Sequence, residues 1–177
     1  MAESVVAYRY AKSLIDLANE KKVVEEVSKD MALFKEVCDG NRQFLAVMGN
    51  PIVRHEKKLG ILKKVFENNV HPVTFSIFKV LTNKNRENLI YAIAEEFQKI
   101  YNDQNGIQRA TVTTTSALTD EQRKAFIKVV ADATGRKVIL EEKINENLIG
   151  GYVLQVDDKQ IDTSVKRKLN DLKLNFA

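Results

Sequence analysis

Up to Gly106 the apolar residues of this chain recur every three or four positions, and beyond it they recur every two. A helix presents the same face every 3.6 residues and a strand every second one, so the change of period marks a change of element type. The chain is therefore expected to be α+β: an N-terminal six-helix bundle over residues 1–105, followed by a small α/β domain over 106–177. With 177 residues and 44% hydrophobic types it can bury two small cores.

In the first part, Ser4 to about Glu20 carries Val6, Tyr10, Leu14 and Leu17 at helical spacing beside Ala7, Ala11 and Ala18. Adding Tyr8 and Ile15 widens the apolar arc to roughly 200°, where a surface helix normally needs a stripe of about 100° or more. A second helix has Val23, Val27, Met31, Phe34 and Cys38 on one stripe, with Gly40 as its stop. Arg42 to Met48 forms a short third helix. In a fourth, Arg54 to Glu67, the residues Leu59, Leu62, Val65 and Phe66 are expected inward and Lys57, Lys58, Lys63 and Lys64 outward. The fifth starts at His71-Pro72 and runs to about Asn83, its apolar residues covering an arc of roughly 220°. The sixth, Asn85 to Asp103, ends before Gly106.

Beyond Gly106, the β-branched run Gln108 to Thr115 reads as a strand. Thr119 and Gln122 have the spacing of a capping box for a helix that Gly135 ends. Lys137 to Ile144 alternates as a half-buried strand does. A further strand is expected from Leu148 to Val156 around the Gly150-Gly151 pair, where the backbone needs positive φ or close approach. Asp157-Asp158-Lys159 gives a turn, Gln160 to Asp162 a short return strand, and Asp162, Thr163 or Ser164 caps a last helix bearing Val165, Leu169, Leu172 and Phe176 on one face. The expected result is a small sheet covered by two helices.

Composition and motifs offer no chemistry. The net charge of +4 is spread over both parts: sixteen Lys and Arg against fourteen Asp and Glu up to Asn105, then twelve against ten. Neither part is a basic tail for nucleic acid. His55 and His71 lack partners at metal-ligand spacing and read as surface or loop residues. The single cysteine, Cys38, lies on an apolar stripe and excludes an intrachain disulfide. No glycine-rich nucleotide fingerprint is present, and Asp157-Asp158 suits a turn better than acid/base work. No catalytic, cofactor or metal residue is therefore assigned. No apolar run reaches the roughly 18 residues that span a bilayer, and MAESVVAYRY lacks the form of a secretory signal. The wide arcs of the first and fifth helices remain unexplained by one core. Side by side, they would form a groove for an amphipathic helix from another protein.

Three stretches carry a family resemblance. AYRYAKSLIDLA (Ala7 to Ala18) resembles the opening of the delta subunits of bacterial F-type ATP synthases, relatives of the mitochondrial oligomycin-sensitivity-conferring protein, departing from it at Tyr8-Arg9-Tyr10. VLTNKNRENLI (Val80 to Ile90) matches a second element of those subunits, and IGGYVLQVDDKQIDTSVKRKL (Ile149 to Leu169) is similar to their C-terminal signature. The resemblance runs nearly the whole chain in the right order. It implies a non-catalytic stator subunit that joins the catalytic head to the peripheral stalk and resists rotor torque during proton-driven ATP synthesis. Its implied partners are the N-terminal helix of the alpha subunit, held by the helical domain, and the b subunits, met by the C-terminal domain. The implied location is peripheral, at the cytoplasmic face of a bacterial plasma membrane. Carried over, the groove is expected at Tyr10, Ser13, Leu14 and Leu17 of the first helix and Ser76, Lys79, Val80 and Asn83 of the fifth. Gly150, Gly151, Lys166 and Arg167 are expected on the stalk-facing domain. The alternative is a helical module binding RNA, through Lys57, Lys58, Lys63 and Lys64, or another protein.

Overall fold

The computed structural model describes the backbone of residues 2–175 and side chains from 4 to 173; Phe176, expected on the last helix, lies outside the described residues. Two compact units divide at Tyr101/Asn102, within the last helix of the first part rather than at Gly106. The helical unit comprises α1 (Ala2–Glu20), α2 (Val24–Gly40), α3 (Arg42–Gly49), α4 (His55–Phe66), α5 (Pro72–Asn83), a 3-10 turn at Glu87–Leu89 and all but the last three residues of α6 (Ile90–Gln104).

Its core is where the spacing placed it. Ala7, Ala11, Leu14, Ile15 and Ala18 of α1 are buried together with Val27, Met31, Phe34 and Cys38 of α2. Phe34 meets Phe44 of α3, Phe66 of α4 and Phe78 of α5 at ring-centroid distances of 6.1, 5.3 and 5.1 Å, so one tilted and edge-to-face cluster ties four helices. Asp30 of α2 reaches the start of α5, where its Oδ2 accepts from the His71 backbone N–H at 2.7 Å and the Thr74 hydroxyl at 2.6 Å.

Helix ends explain most differences from the sequence reading. Gly40 is the last residue of α2, not an αL stop beyond it, and the following Asn41 caps α3 by accepting from Phe44 N–H. Asn85 does not open the sixth helix. It sits at φ 54°, and the Arg86 N–H to Leu81 carbonyl bond of 2.9 Å with the Asn85 N–H to Thr82 carbonyl bond of 3.0 Å makes a Schellman end to α5. α1 ends the same way on Lys22, at φ 58°, with Val23 N–H on the Ala18 carbonyl. A lysine there bears a left-handed strain that glycine avoids. Lys22→Gly is expected to stabilise the helical unit by about 0.5–1 kcal/mol, seen as a higher urea midpoint at unchanged slope.

Two side chains of α4 correct the outward and inward assignments. Lys58, expected outward, is 2% exposed, whereas Val65, expected inward, is exposed. A lysine enters a helical core only with a partner for its charge, and Lys58 has one in Glu87 at 2.5 Å.

The second unit holds β1 (Ile107–Thr114), α7 (Asp120–Thr134), β2 (Lys137–Ile144), a 3-10 turn at Glu146–Leu148, β3 (Tyr152–Val156), β4 (Lys159–Asp162) and α8 (Val165–Asn175). The sheet order is β2-β1-β3-β4, with β1 and β2 parallel and the other pairs antiparallel. The capping box of Thr119 and Gln122 is formed in both directions, and Gly135 closes α7 at φ 68°. Ala110, Val112 and Leu154 line one sheet face under Val130 of α7, with Phe126 and Tyr152 packed edge to face beside them. The third strand starts at Tyr152 instead of Leu148. Asn145 accepts from Asn147 N–H and folds the chain into a 3-10 turn first.

Candidate functional site: an apolar strip on two helices and an uncovered end helix

α1 packs against α5. At about 100° per residue, Val6, Tyr10, Ser13 and Leu17 fall within about 60° of one another on α1, beside the core face. Val6, Tyr10 and Leu17 are half-buried against the core, and Ser13 is exposed. On α5 the matching flank is Val73, Ser76, Ile77 and Val80, within about 100°. Val80 is 43% exposed and Ile77 half-buried. The opposite flank of α5 is occupied, since Phe75 and Lys79 line a cavity of about 150 Å³ with Leu59 and Lys63 of α4.

Each expected groove residue can now be placed. Tyr10, Leu17, Ser13, Ser76 and Val80 lie on the two flanks, and Asn83 is exposed toward the C-terminal end of α5. Leu14 is 2% exposed and belongs to the core, one step round the wheel from the strip. Lys79 stands on the α4 side. Val6, Ile77 and Arg86 complete the strip and were not singled out. The helical wheel alone was enough to find the first two.

The polar groups of the strip are satisfied locally. Ser13 donates its hydroxyl to the Arg9 carbonyl at 2.9 Å and Ser76 to the Val73 carbonyl at 2.7 Å. With their donors engaged on their own helices, these small side chains leave low places between larger apolar ones. Arg86, just beyond α5, donates through Nη1 to the Tyr10 hydroxyl at 3.2 Å, its guanidinium carbon 6.0 Å from the Tyr10 ring centroid. It meets the α1 flank between Val6 and Ser13. Such a surface can receive an apolar helix face.

On the second unit, the glycine pair proves to be a packing device. Gly151 has φ 79°, and a Cβ there would lie 2.6 Å from the Thr163 carbonyl oxygen. Gly150 accepts at its carbonyl from Val165 N–H at 3.0 Å. The start of α8 is thereby pressed against the backbone ahead of β3. Of the three proposed caps, Ser164 fills the role: its Oγ accepts from Arg167 N–H at 3.2 Å, and Asp162 Oδ1 accepts from Ser164 N–H at 2.9 Å. Hydrogen bonding from the Ser164 side chain, and then from its backbone N–H, holds the Asp162 carboxyl below the usual carboxylate range. Lys166 and Arg167 are exposed, as are Val165, Leu169 and Leu172, so the apolar face of α8 is not used on the sheet. Ile149, 68% exposed, occupies φ 66°, a conformation that costs a β-branched residue about 1–2 kcal/mol.

Elsewhere the chemistry is quiet. Burial pushes the Cys38 thiol up to about 12, with Asp39 adding to the effect, so it stays protonated at neutral pH. A hollow of about 400 Å³ beside Thr114, Phe126 and Tyr152 has tyrosine as its only titratable lining residue. Among the described residues no cluster of three or more His, Cys, Asp or Glu could hold a metal ion, and no helix is long and apolar enough to cross a membrane.

The model of the family described as ATP synthase delta (OSCP) subunit matches residues 6–176. ATP synthase subunit delta of Cytophaga hutchinsonii is 47% identical over 177 residues, covering 100% of this chain and 97% of that one. The protein of the same name from Flavobacterium psychrophilum is 36% identical, covering 100% and 99%. A chain in the structure of the Toxoplasma gondii mitochondrial ATP synthase hexamer shares the fold, with a TM-score of 0.78 at 19% identity over 96% of each chain. The chain thus belongs to the ATP synthase delta (OSCP) subunit family, the non-catalytic structural subunits of that complex's stator.

Proposed function

We propose that the α1/α5 strip seats the N-terminal helix of an alpha subunit, and that the second unit, through the uncovered face of α8, meets the b subunits of the peripheral stalk. The observation that carries the reading is the half-open flank of Val6, Tyr10, Leu17, Ile77 and Val80 beside a filled core. A bundle that needed these residues for its own core would enclose them. A partner helix completes the burial, and its apolar face in the strip makes a joint that resists rotor torque without a covalent bond. Subunits of this family are peripheral components of a membrane-associated complex, and in this reading the chain works at the cytoplasmic face of a bacterial plasma membrane.

The second joint follows from the same logic. Val165, Leu169 and Leu172 present an apolar stripe flanked by Lys166 and Lys168, which suits an amphipathic helix with acidic borders.

Titration of the full chain with a synthetic peptide of the alpha N-terminal helix tests the first joint. Binding is expected to persist as salt is raised, because the contact is apolar. Full burial of a valine is worth about 1.5–3 kcal/mol, and a carboxylate in its place adds a desolvation cost. Val80→Asp should therefore raise Kd at least tenfold, while Lys64→Asp, on the exposed side of α4, should leave it unchanged. A wild-type chain that ignores the peptide would overturn the seat.

A further inference from the structure

The Lys58 ammonium lies inside the helical unit, donating to the Met48 carbonyl of α3 at 2.9 Å and to Glu87 Oε1 at 2.5 Å. Glu87 is 7% exposed, and its second oxygen, Oε2, has no hydrogen-bond partner. A buried ion pair seldom adds stability over apolar side chains of the same volume. What it adds is direction, because an ammonium and a carboxylate meet in one geometry where two methyl groups slide.

The direction it fixes is that of the connection between α5 and α6. Glu87 is the first residue of the 3-10 turn, and the residue before it is Arg86. On its other side Arg86 is held by its own N–H on the Leu81 carbonyl and by the left-handed Asn85. The backbone of Arg86 is thus pinned from both directions. Its side chain, so anchored, crosses to Tyr10 of α1 and lies over its ring.

We infer that Lys58 and Glu87 are positioning residues for the partner-helix seat. Through the pinned connection they hold Arg86 on Tyr10, and so set how far α1 stands from the end of α5. The inference rests on reading the strip as the seat of the alpha-subunit helix. It assigns a role to two residues that never touch that helix.

Two measurements on the full chain separate this inference from that reading. The first needs no partner: the ring signals of selectively ¹³C-labelled tyrosine, with Tyr10 assigned by Tyr10→Phe. Glu87→Gln is expected to move the Tyr10 signal in the same direction as Arg86→Ala. A Tyr10 signal at its wild-type position in folded Glu87→Gln overturns the inference, whether or not the peptide binds. The second is the double-mutant cycle for the alpha-helix peptide, at a temperature where circular dichroism shows every variant folded. Each single change should raise Kd about tenfold and the pair by little more than one alone, because both act through one contact. Effects that multiply to about a hundredfold overturn it, since a merely structural pair would act independently of Arg86. Should Glu87→Gln fail to fold, Glu87→Asp, which keeps the charge on a shorter arm, is read by the same two criteria.

Discussion

Lys58→Ala is expected to cost the helical unit about 3–5 kcal/mol, a large part of the roughly 5–15 kcal/mol by which domains are stable. The truncation leaves the Glu87 carboxylate at 7% exposure without the ammonium it faces, and its Oε2 is already without a partner. The Met48 carbonyl loses the same donor. Removing both charges is a different experiment. Lys58→Met with Glu87→Leu fills the space with apolar atoms and should return to within about 1 kcal/mol of the wild type, by the rule that breaking a buried pair costs far more than replacing it. Urea unfolding followed by helical ellipticity gives both numbers. If the single variant loses less than about 1 kcal/mol, the Glu87 carboxylate has found water, and the pair is not the closed contact described.

Why Lys58 was not legible shows where sequence reading stops. On an amphipathic helix a lysine counts as an outward residue, and α4 offers three more that are outward: Lys57, Lys63 and Lys64. Its partner lies 29 positions away in a connection that looked like helix. There the apolar period of Leu89, Ile90 and Ile93 continues without a visible break, while Asn85, a residue that tolerates the left-handed region, ends one helix inside the pattern. The missing signal was three-dimensional. In contrast, features set by adjacent residues were readable: the Thr119-Gln122 capping box, the αL glycine at 135 and the change of period near Gly106.

The candidate seat was readable in part for the same reason. A wheel tells how wide an apolar arc is, and both α1 and α5 carry more than one core face holds. It does not tell which edge of the arc a neighbour covers. Leu14 fell on the covered edge of α1 and Lys79 on the α4 side of α5, while Val6 and Ile77 were left on the open flanks. At the other end of the chain, Leu148 and Ile149 have strand-forming side chains. The backbone there is a 3-10 turn followed by a left-handed isoleucine, because Asn145 caps the turn and the glycines must meet α8.

Gly151→Ala is expected to undo that meeting. At φ 79° an alanine bears about 1–2 kcal/mol of left-handed strain, and its Cβ would stand 2.6 Å from the Thr163 carbonyl oxygen and 3.1 Å from Ser164 Cα. Both obstacles are backbone, so relief requires moving the segment that caps α8. Overpacking of this kind adds about 1–3 kcal/mol. The second unit is small, and a loss of that total size should leave it largely unfolded at ambient temperature. Gly150→Ala makes the control. Its Cβ would meet only the Val165 side chain, closest at the Cγ2 methyl at 3.1 Å, with no positive φ, and a rotation of that side chain relieves the contact. Amide exchange in β3 and α8 should therefore accelerate strongly in Gly151→Ala and hardly in Gly150→Ala, with the helical unit protected in both. Equal behaviour of the two variants would show that α8 is not held where the Thr163 carbonyl places it. The uncovered stripe of Val165, Leu169 and Leu172 would then have no fixed platform from which to meet a stalk.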